Sequence, residues 1–207
     1  MHDERRAAVA ADGQLCAQRL ASEETPVVVF DLSFDDIMSE SNVKSTVSQL
    51  KYSYSILRKN AFILKPLFCS CGTASGLQLQ NFEGFRMYPP LMHEEHWEKV
   101  IPKNRVVYLS ADSTEVLQSV EPNMYYVVGA FVDHNSKRGL TESTATMLNV
   151  RTARLPLDET IVIGNMCKVL TINAVTEVLA TFATTKSWKQ AFATLPTRRN
   201  KAQREPL

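Results

Sequence analysis

The run Tyr126-Val127-Val128-Gly129-Ala130-Phe131-Val132 is unbrokenly apolar, and it stops at Asp133-His134-Asn135. A short stretch rich in β-branched and aromatic residues reads as a strand buried on both faces. The residues that end it offer a carboxylate, an imidazole and an amide, groups that can take a proton or fix a polar ligand. In open parallel sheets, ligands bind where strands give way to loops at their carboxyl ends. The plain alternative for Asp133 is a turn or cap after a strand, for which Asp and Asn are favoured. Lys137, Arg138, Arg151 and Arg154 add positive charge close to this segment in the sequence.

A second set of candidates lies upstream. Val43, Val47, Leu50, Tyr54 and Leu57 recur in steps of three and four, the pattern of a helix with one buried stripe. Lys44, Lys51 and Arg58 follow one another at seven-residue spacing and form a basic row beside that stripe, suited to phosphates. The competing reading is a solvated helix face whose long side chains cover apolar surface.

The elements that must position these groups alternate. Val27 to Phe30 reads as a first buried strand, Phe62 to Cys69 as a second with Pro66 hinting at an edge or bulge, and Val106 to Leu109 as a third. Tyr125 to Val132 and Thr152 to Leu157 complete the set. Helices are predicted over His93 to Val100, from a cap at Asp112 through Val120, over Glu142 to Leu148, and from Asn173 to Phe182. Such alternation predicts an α/β fold, a parallel sheet flanked by helices on both faces. The 207 residues, 44% hydrophobic, suit a single domain over 25–197, with a flexible or helical segment at 1–24 and a basic tail at 198–207.

Composition removes several function classes. The 23 basic and 22 acidic residues nearly cancel, so any nucleic-acid binding must come from local clusters. Only seven glycines occur and no two are separated by one residue, which leaves no Gly-x-Gly dinucleotide turn. A phosphate-binding Gly-Lys-Ser/Thr loop and a Gly-x-Ser-x-Gly hydrolase elbow are also missing. Four cysteines without a Cys-x-x-Cys pair fit a reducing compartment and predict no metal site. His93 and His96 lack the order of a zinc-protease helix and are read as solvent-facing. Acid at Asp3-Glu4 argues against a transit peptide, and no apolar run approaches the roughly 20 residues of a membrane span, so an intracellular, non-membrane protein is expected, nuclear or cytoplasmic with an organelle left open.

Five blocks in order resemble the tRNA position-9 purine N1-methyltransferases. They are Phe30-Asp31-Leu32-Ser33-Phe34-Asp35-Asp36-Ile37-Met38, Tyr108-Leu109-Ser110-Ala111-Asp112-Ser113, Val128 to Asn135, Ala153-Arg154-Leu155-Pro156-Leu157, and Lys168-Val169-Leu170-Thr171-Ile172-Asn173. The resemblance implies a SPOUT fold with a carboxyl-terminal trefoil knot, S-adenosylmethionine as cofactor, tRNA as partner and a monomeric state. It places Asp133 as catalytic base. It assigns Leu109, Gly129, Asp133, Asn135, Lys137, Leu155, Lys168, Leu170 and Thr171 to the cofactor, and Gln49, Lys51, Arg58, Lys59, Arg138, Arg151 and Arg154 to RNA. Tyr52 stands where the family usually carries an arginine, and Ala130 replaces its second strand-end glycine. The other reading is a relative that has lost efficient turnover and serves as an RNA-binding or scaffold module.

Overall fold

The computed structural model describes residues 2–132, 149–161 and 169–195, with side chains from residue 8 onward. The predicted helix over Glu142 to Leu148, the basic tail, and the path that would close a trefoil knot lie outside the described residues, as do Asp133, Asn135, Lys137, Arg138 and Lys168.

Six parallel strands form one sheet in the order β3-β2-β1-β5-β4-β6. They are β1 Val27–Asp31, β2 Lys65–Cys69, β3 Leu91–Met92, β4 Val106–Leu109, β5 Tyr125–Gly129 and β6 Arg151–Ala153. Every residue of β1 is buried, as its Val-Val-Val-Phe run demands of a central strand covered on both faces. Val28, Phe30, Phe68, Val107, Tyr126 and Val128 fill one face; Val27, Val29, Leu67, Val106, Tyr108 and Val127 fill the other with Trp97 and Ile101.

Helix α2, Glu40–Lys59, covers the first face. Ser39 caps it by accepting the N–H of Asn42, and Val43, Val47, Leu50, Tyr54 and Leu57 are buried as their spacing predicts. Full burial of each such side chain stabilises by about 1.5–3 kcal/mol. Along α2 packs α6, Ile172–Thr185, longer than its predicted span. Helix α7, Trp188–Ala193, folds back so that Trp188 stacks on Phe182 with ring centroids 3.9 Å apart. At the other end of α2, Arg19 of α1, His2–Ala21, donates to the carbonyls of Asn60 and Ala61, satisfying groups that the helix end leaves open. The second face is closed in part by α4, Trp97–Val100, and the smaller helices are α3, Ala74–Gln80, and α5, Leu157–Thr160.

Three local expectations are corrected. Residues 112–120 form no helix: Val116 bridges Arg154, the Leu117 N–H reaches the Arg154 carbonyl, and the Arg154 N–H reaches the Glu115 carbonyl. Tertiary pairing along β6 has overridden the local capping signal, so β4 and β5 are joined by an extended crossover. The predicted helix from His93 is only the single turn of α4, because the preceding residues bond along the end of β2: the His93 N–H reaches the Phe68 carbonyl, and the Cys71 and Ser70 N–H groups reach the His93 and Glu95 carbonyls. The strand predicted from Thr152 to Leu157 ends at Ala153, and Leu157 opens α5. Pro66 sits in an interior strand, yet β3 pairs only with Leu67 and Phe68, so its missing N–H falls where no neighbour is present.

Candidate functional site at the carboxyl edge of the sheet

The chain leading to Asp133 is held at three consecutive residues. The Ala130 N–H donates to the Asp31 carbonyl at 2.8 Å. The Phe131 ring lies 4.8 Å from that of Phe34, and the Val132 N–H points at Met38 Sδ, 3.4 Å away. Asp31 ends β1, and Phe34 and Met38 lie on the segment that links it to α2. In register, Asp31 stands beside Gly129 and Leu109 stands between Val128 and Ala153. Adjacent strand ends therefore bring the first three resemblance blocks to one edge.

Asp31 was not singled out by its sequence, and it is the only fully buried carboxylate among the described residues. Its Oδ2 accepts from Trp97 Nε1 at 3.1 Å and Tyr108 Oη at 3.2 Å, and lies 3.6 Å from His96 Nε2; Oδ1 accepts the Ser33 N–H at 3.1 Å. Burial alone would raise its pKa, but hydrogen bonds from His96 and Ser33 outweigh that and hold it below the usual carboxylate value. Tyr108 is driven well above the ordinary phenol value by burial and by the Asp31 charge. A sealed carboxylate that prefers its charged form is a poor proton acceptor for an outside substrate; it is a tie between β1, β4 and the β3–α4 turn. His96, read as solvent-facing, is instead turned inward, with Nδ1 accepting the Glu98 N–H at 3.4 Å. Burial pushes the Cys69 thiol up to about 12 and that of Cys71 to about 11, so neither is a ready nucleophile.

The described cofactor candidates divide by role. Leu109, Leu155 and Leu170 are partly buried against the main core, so each offers an apolar flank while also packing. Gly129 ends β5, half-buried. Thr171 precedes α6 and makes no side-chain cap bond; the Ile172 N–H is taken by Gln49 Oε1 at 3.0 Å. Gln49, assigned to RNA by resemblance, thus ties α2 to the start of α6 and leaves the exposed Thr171 hydroxyl out of the cap. Gln49→Ala would orphan that helix-end donor and is expected to cost about 1 kcal/mol, read as a lower midpoint in urea denaturation. An unchanged midpoint would show that water replaces the bond without loss.

The basic row is built as its spacing predicts, but its members have protein partners. Lys44 pairs with Glu40 at 2.6 Å, Lys51 lies over the Phe82 ring, and Arg58 meets Asp12 at 3.1 Å and the face of Tyr88 at 4.8 Å. Arg58 therefore clamps α1 to α2. Lys59 is exposed at the end of α2, and Tyr52 is 66% exposed on the same helix. Arg151 pairs with Glu115 at 3.0 Å and Arg154 with Glu159 through two bonds of 2.9 and 2.5 Å.

Comparison with known proteins places this geometry. The profile of a family described as tRNA (guanine(9)-N(1))-methyltransferase TRM10/TRM10A matches residues 3–200. The chain is 32% identical over 175 residues to tRNA methyltransferase 10 homolog A of Xenopus tropicalis, covering 83% of this chain and 52% of that protein. It is 32% identical over 186 residues to the tRNA (guanine(9)-N1)-methyltransferase of Eremothecium gossypii, covering 83% and 58%. The chain thus spans about half the length of the curated relatives it matches. Among solved structures, full-length spTrm10 in complex with SAH superposes with a TM-score of 0.72 at 25% identity, over 83% of this chain and 94% of that one.

Proposed function

Because the chain belongs to the TRM10/TRM10A family, matched over residues 3–200, we propose that it transfers a methyl group from S-adenosylmethionine to N1 of the purine at position 9 of tRNA, guanine before adenine. The observation that carries this reading is the strand end itself: immediately before Asp133, Ala130 is tied to the end of β1, and Phe131 and Val132 to the segment that follows it. Proton transfer needs a positioned carboxylate, and the backbone just before Asp133 supplies a firm anchor for one.

The residues present fit the cofactor. Leu109, Leu155 and Leu170 offer apolar flanks for an adenosyl group, and Gly129 and Thr171 leave backbone and hydroxyl groups for its polar atoms, in keeping with a mostly apolar pocket carrying few polar anchors. Asn135, Lys137 and Lys168 complete the proposed set. When bound, S-adenosylmethionine supplies an electrophilic methyl group. Asp133 receives the guanine N1 proton as that nitrogen becomes nucleophilic; adenine N1 already has a lone pair and needs no such acceptor. Since N1 lies on the pairing edge, the base must leave its stack to reach Asp133. For RNA we propose Lys51, Lys59, Arg138, Arg151 and Arg154, with Gln49 and Arg58 contributing through the position of α2.

Calorimetry with S-adenosylmethionine, followed by methyl transfer to unmodified tRNA transcripts differing only in G or A at position 9, tests the proposal. Cofactor binding with methylation of the G transcript is expected. Binding of RNA without cofactor binding would instead identify a scaffold relative.

A further inference from the structure

The opposite edge of the sheet carries a pocket that the methyl-transfer chemistry does not use. It opens at the amino ends of β1, β2 and β5, has a volume of about 190 Å³, and is lined by Glu23, Val27, Lys65, Arg105, Asn123 and Tyr125. Register sets Val27 beside both Lys65 and Tyr125, so the first residues of three adjacent strands form its floor. Room for about six waters is too little for a drug-sized ligand and enough for one sugar-phosphate unit.

Its polar groups are unevenly satisfied. Lys65 donates to the Ser22 carbonyl at 2.6 Å, and Arg105 Nε donates to the Asn123 carbonyl at 2.8 Å while its guanidinium lies 5.3 Å from the Tyr125 ring centre. Against these two cations the lining holds one acid, Glu23. Burial lowers the Lys65 pKa, Glu23 pulls it back, and Arg105 lowers it again, so the two cations repel each other across the pocket. Asn123 adopts a left-handed backbone, with φ of 60°, and its Oδ1 is the one buried side-chain oxygen or nitrogen among the described residues that has no hydrogen-bond partner. A buried acceptor left unpaired costs about 1–3 kcal/mol, which favours turning the Asn123 amide out toward a donor in the pocket.

We infer that this pocket binds a ribose-phosphate unit of the tRNA backbone, the phosphate lying between Lys65 and Arg105 and the ribose 2′-hydroxyl donating to Asn123 Oδ1 after that side chain turns into the pocket. Two cations call for an anion, and the unpaired oxygen calls for a hydroxyl beside it; the 2′-hydroxyl is the group that distinguishes RNA from DNA. A free mononucleotide fits less well, because Arg105 lies over a face of the Tyr125 ring on which a base would stack. The pocket lies about 13 Å along β1 from Asp31, a gap that a folded RNA engaged at the far edge can bridge. This rests on tRNA being the substrate.

The test uses the full chain and an unmodified tRNA transcript, with the dissociation constant measured over a range of KCl concentrations for the wild type, Lys65→Met, Arg105→Gln and Asn123→Asp. The Lys65 and Arg105 variants are expected to bind several-fold more weakly, with the log-log salt slope shallower by about 1, the loss of one phosphate contact. Asn123→Asp keeps a residue that tolerates the left-handed region, and is expected to weaken RNA binding roughly tenfold by setting a charge beside the phosphate. S-adenosylmethionine affinity should stay at the wild-type value in all three, which also shows that they fold. Unchanged affinity and slope in variants that still bind the cofactor would overturn the pocket assignment while leaving the methyl-transfer reading intact. Weakened RNA binding by the variants, together with no methyl transfer by the wild type, would support the pocket and sink the methyl-transfer reading. Millimolar uridine monophosphate bound by the wild type and lost in Lys65→Met, without any change in the tRNA salt slope, would reassign the pocket to a free nucleotide.

Discussion

Asp133→Asn is expected to slow methylation of a G9 transcript on the order of a hundredfold under single-turnover conditions, the lower end of what a positioned base contributes. Methylation of an A9 transcript should fall much less, because only guanine N1 must lose a proton. The near-isosteric amide leaves the ties of Ala130 to Asp31, Phe131 to Phe34 and Val132 to Met38 in place. Binding of S-adenosylmethionine should therefore persist. Equal losses on the two transcripts would turn Asp133 into a positioning residue, and the proton would need another acceptor. Asp31 cannot readily fill that place, being fully buried, surrounded by donors and held below the usual carboxylate value.

Asp31→Asn is expected to destabilise the fold by about 3 kcal/mol, since breaking one side of a buried charged network costs about 3–5 kcal/mol and the amide retains one acceptor. For a domain of this size that lowers the melting temperature by roughly 6–12 °C. The amide would turn an NH2 group toward Trp97 Nε1, Tyr108 Oη or the Ser33 N–H, all of which are donors to the present carboxylate. The pH dependence has a definite sign. The folded pKa of Asp31 is lowered, so its contribution is fully present above the unfolded value near 4 and is lost as pH falls through the folded value. The wild type should lose stability below roughly pH 4, and the Asn variant should lose less over the same interval. Thermal melts from pH 3 to pH 7, followed by tryptophan fluorescence, measure both effects. Coincident wild-type and variant curves would mean that the network contributes nothing net.

Much of this architecture was legible in the chain. The Val27–Phe30 and Tyr125–Val132 runs could only be central strands, although the second ends at Gly129, and the stripe from Val43 to Leu57 could only face a core. What stayed hidden depended on contacts distant in sequence. Nothing near Asp31 announces that Trp97 and Tyr108, 66 and 77 residues away, converge on its carboxylate. The helix predicted from Asp112 failed for the same reason, since Arg154 supplies strand-like partners that no local propensity contains. The basic row was correctly placed on α2, but seven-residue spacing could not reveal that Arg58 is held by Asp12 and Tyr88. Pocket residues Lys65, Arg105 and Asn123 were equally invisible, because their common feature is only that each lies just before or at the start of a strand.

A crystal structure of the full chain with S-adenosylhomocysteine would test the central claim most directly. The expected result is the ligand at the carboxyl ends of β4 and β5, flanked by Leu109, Gly129 and Leu170, with the Asp133 carboxylate facing an opening wide enough for a purine. A ligand bound elsewhere, or Asp133 turned into the core with no cleft beside it, would contradict it.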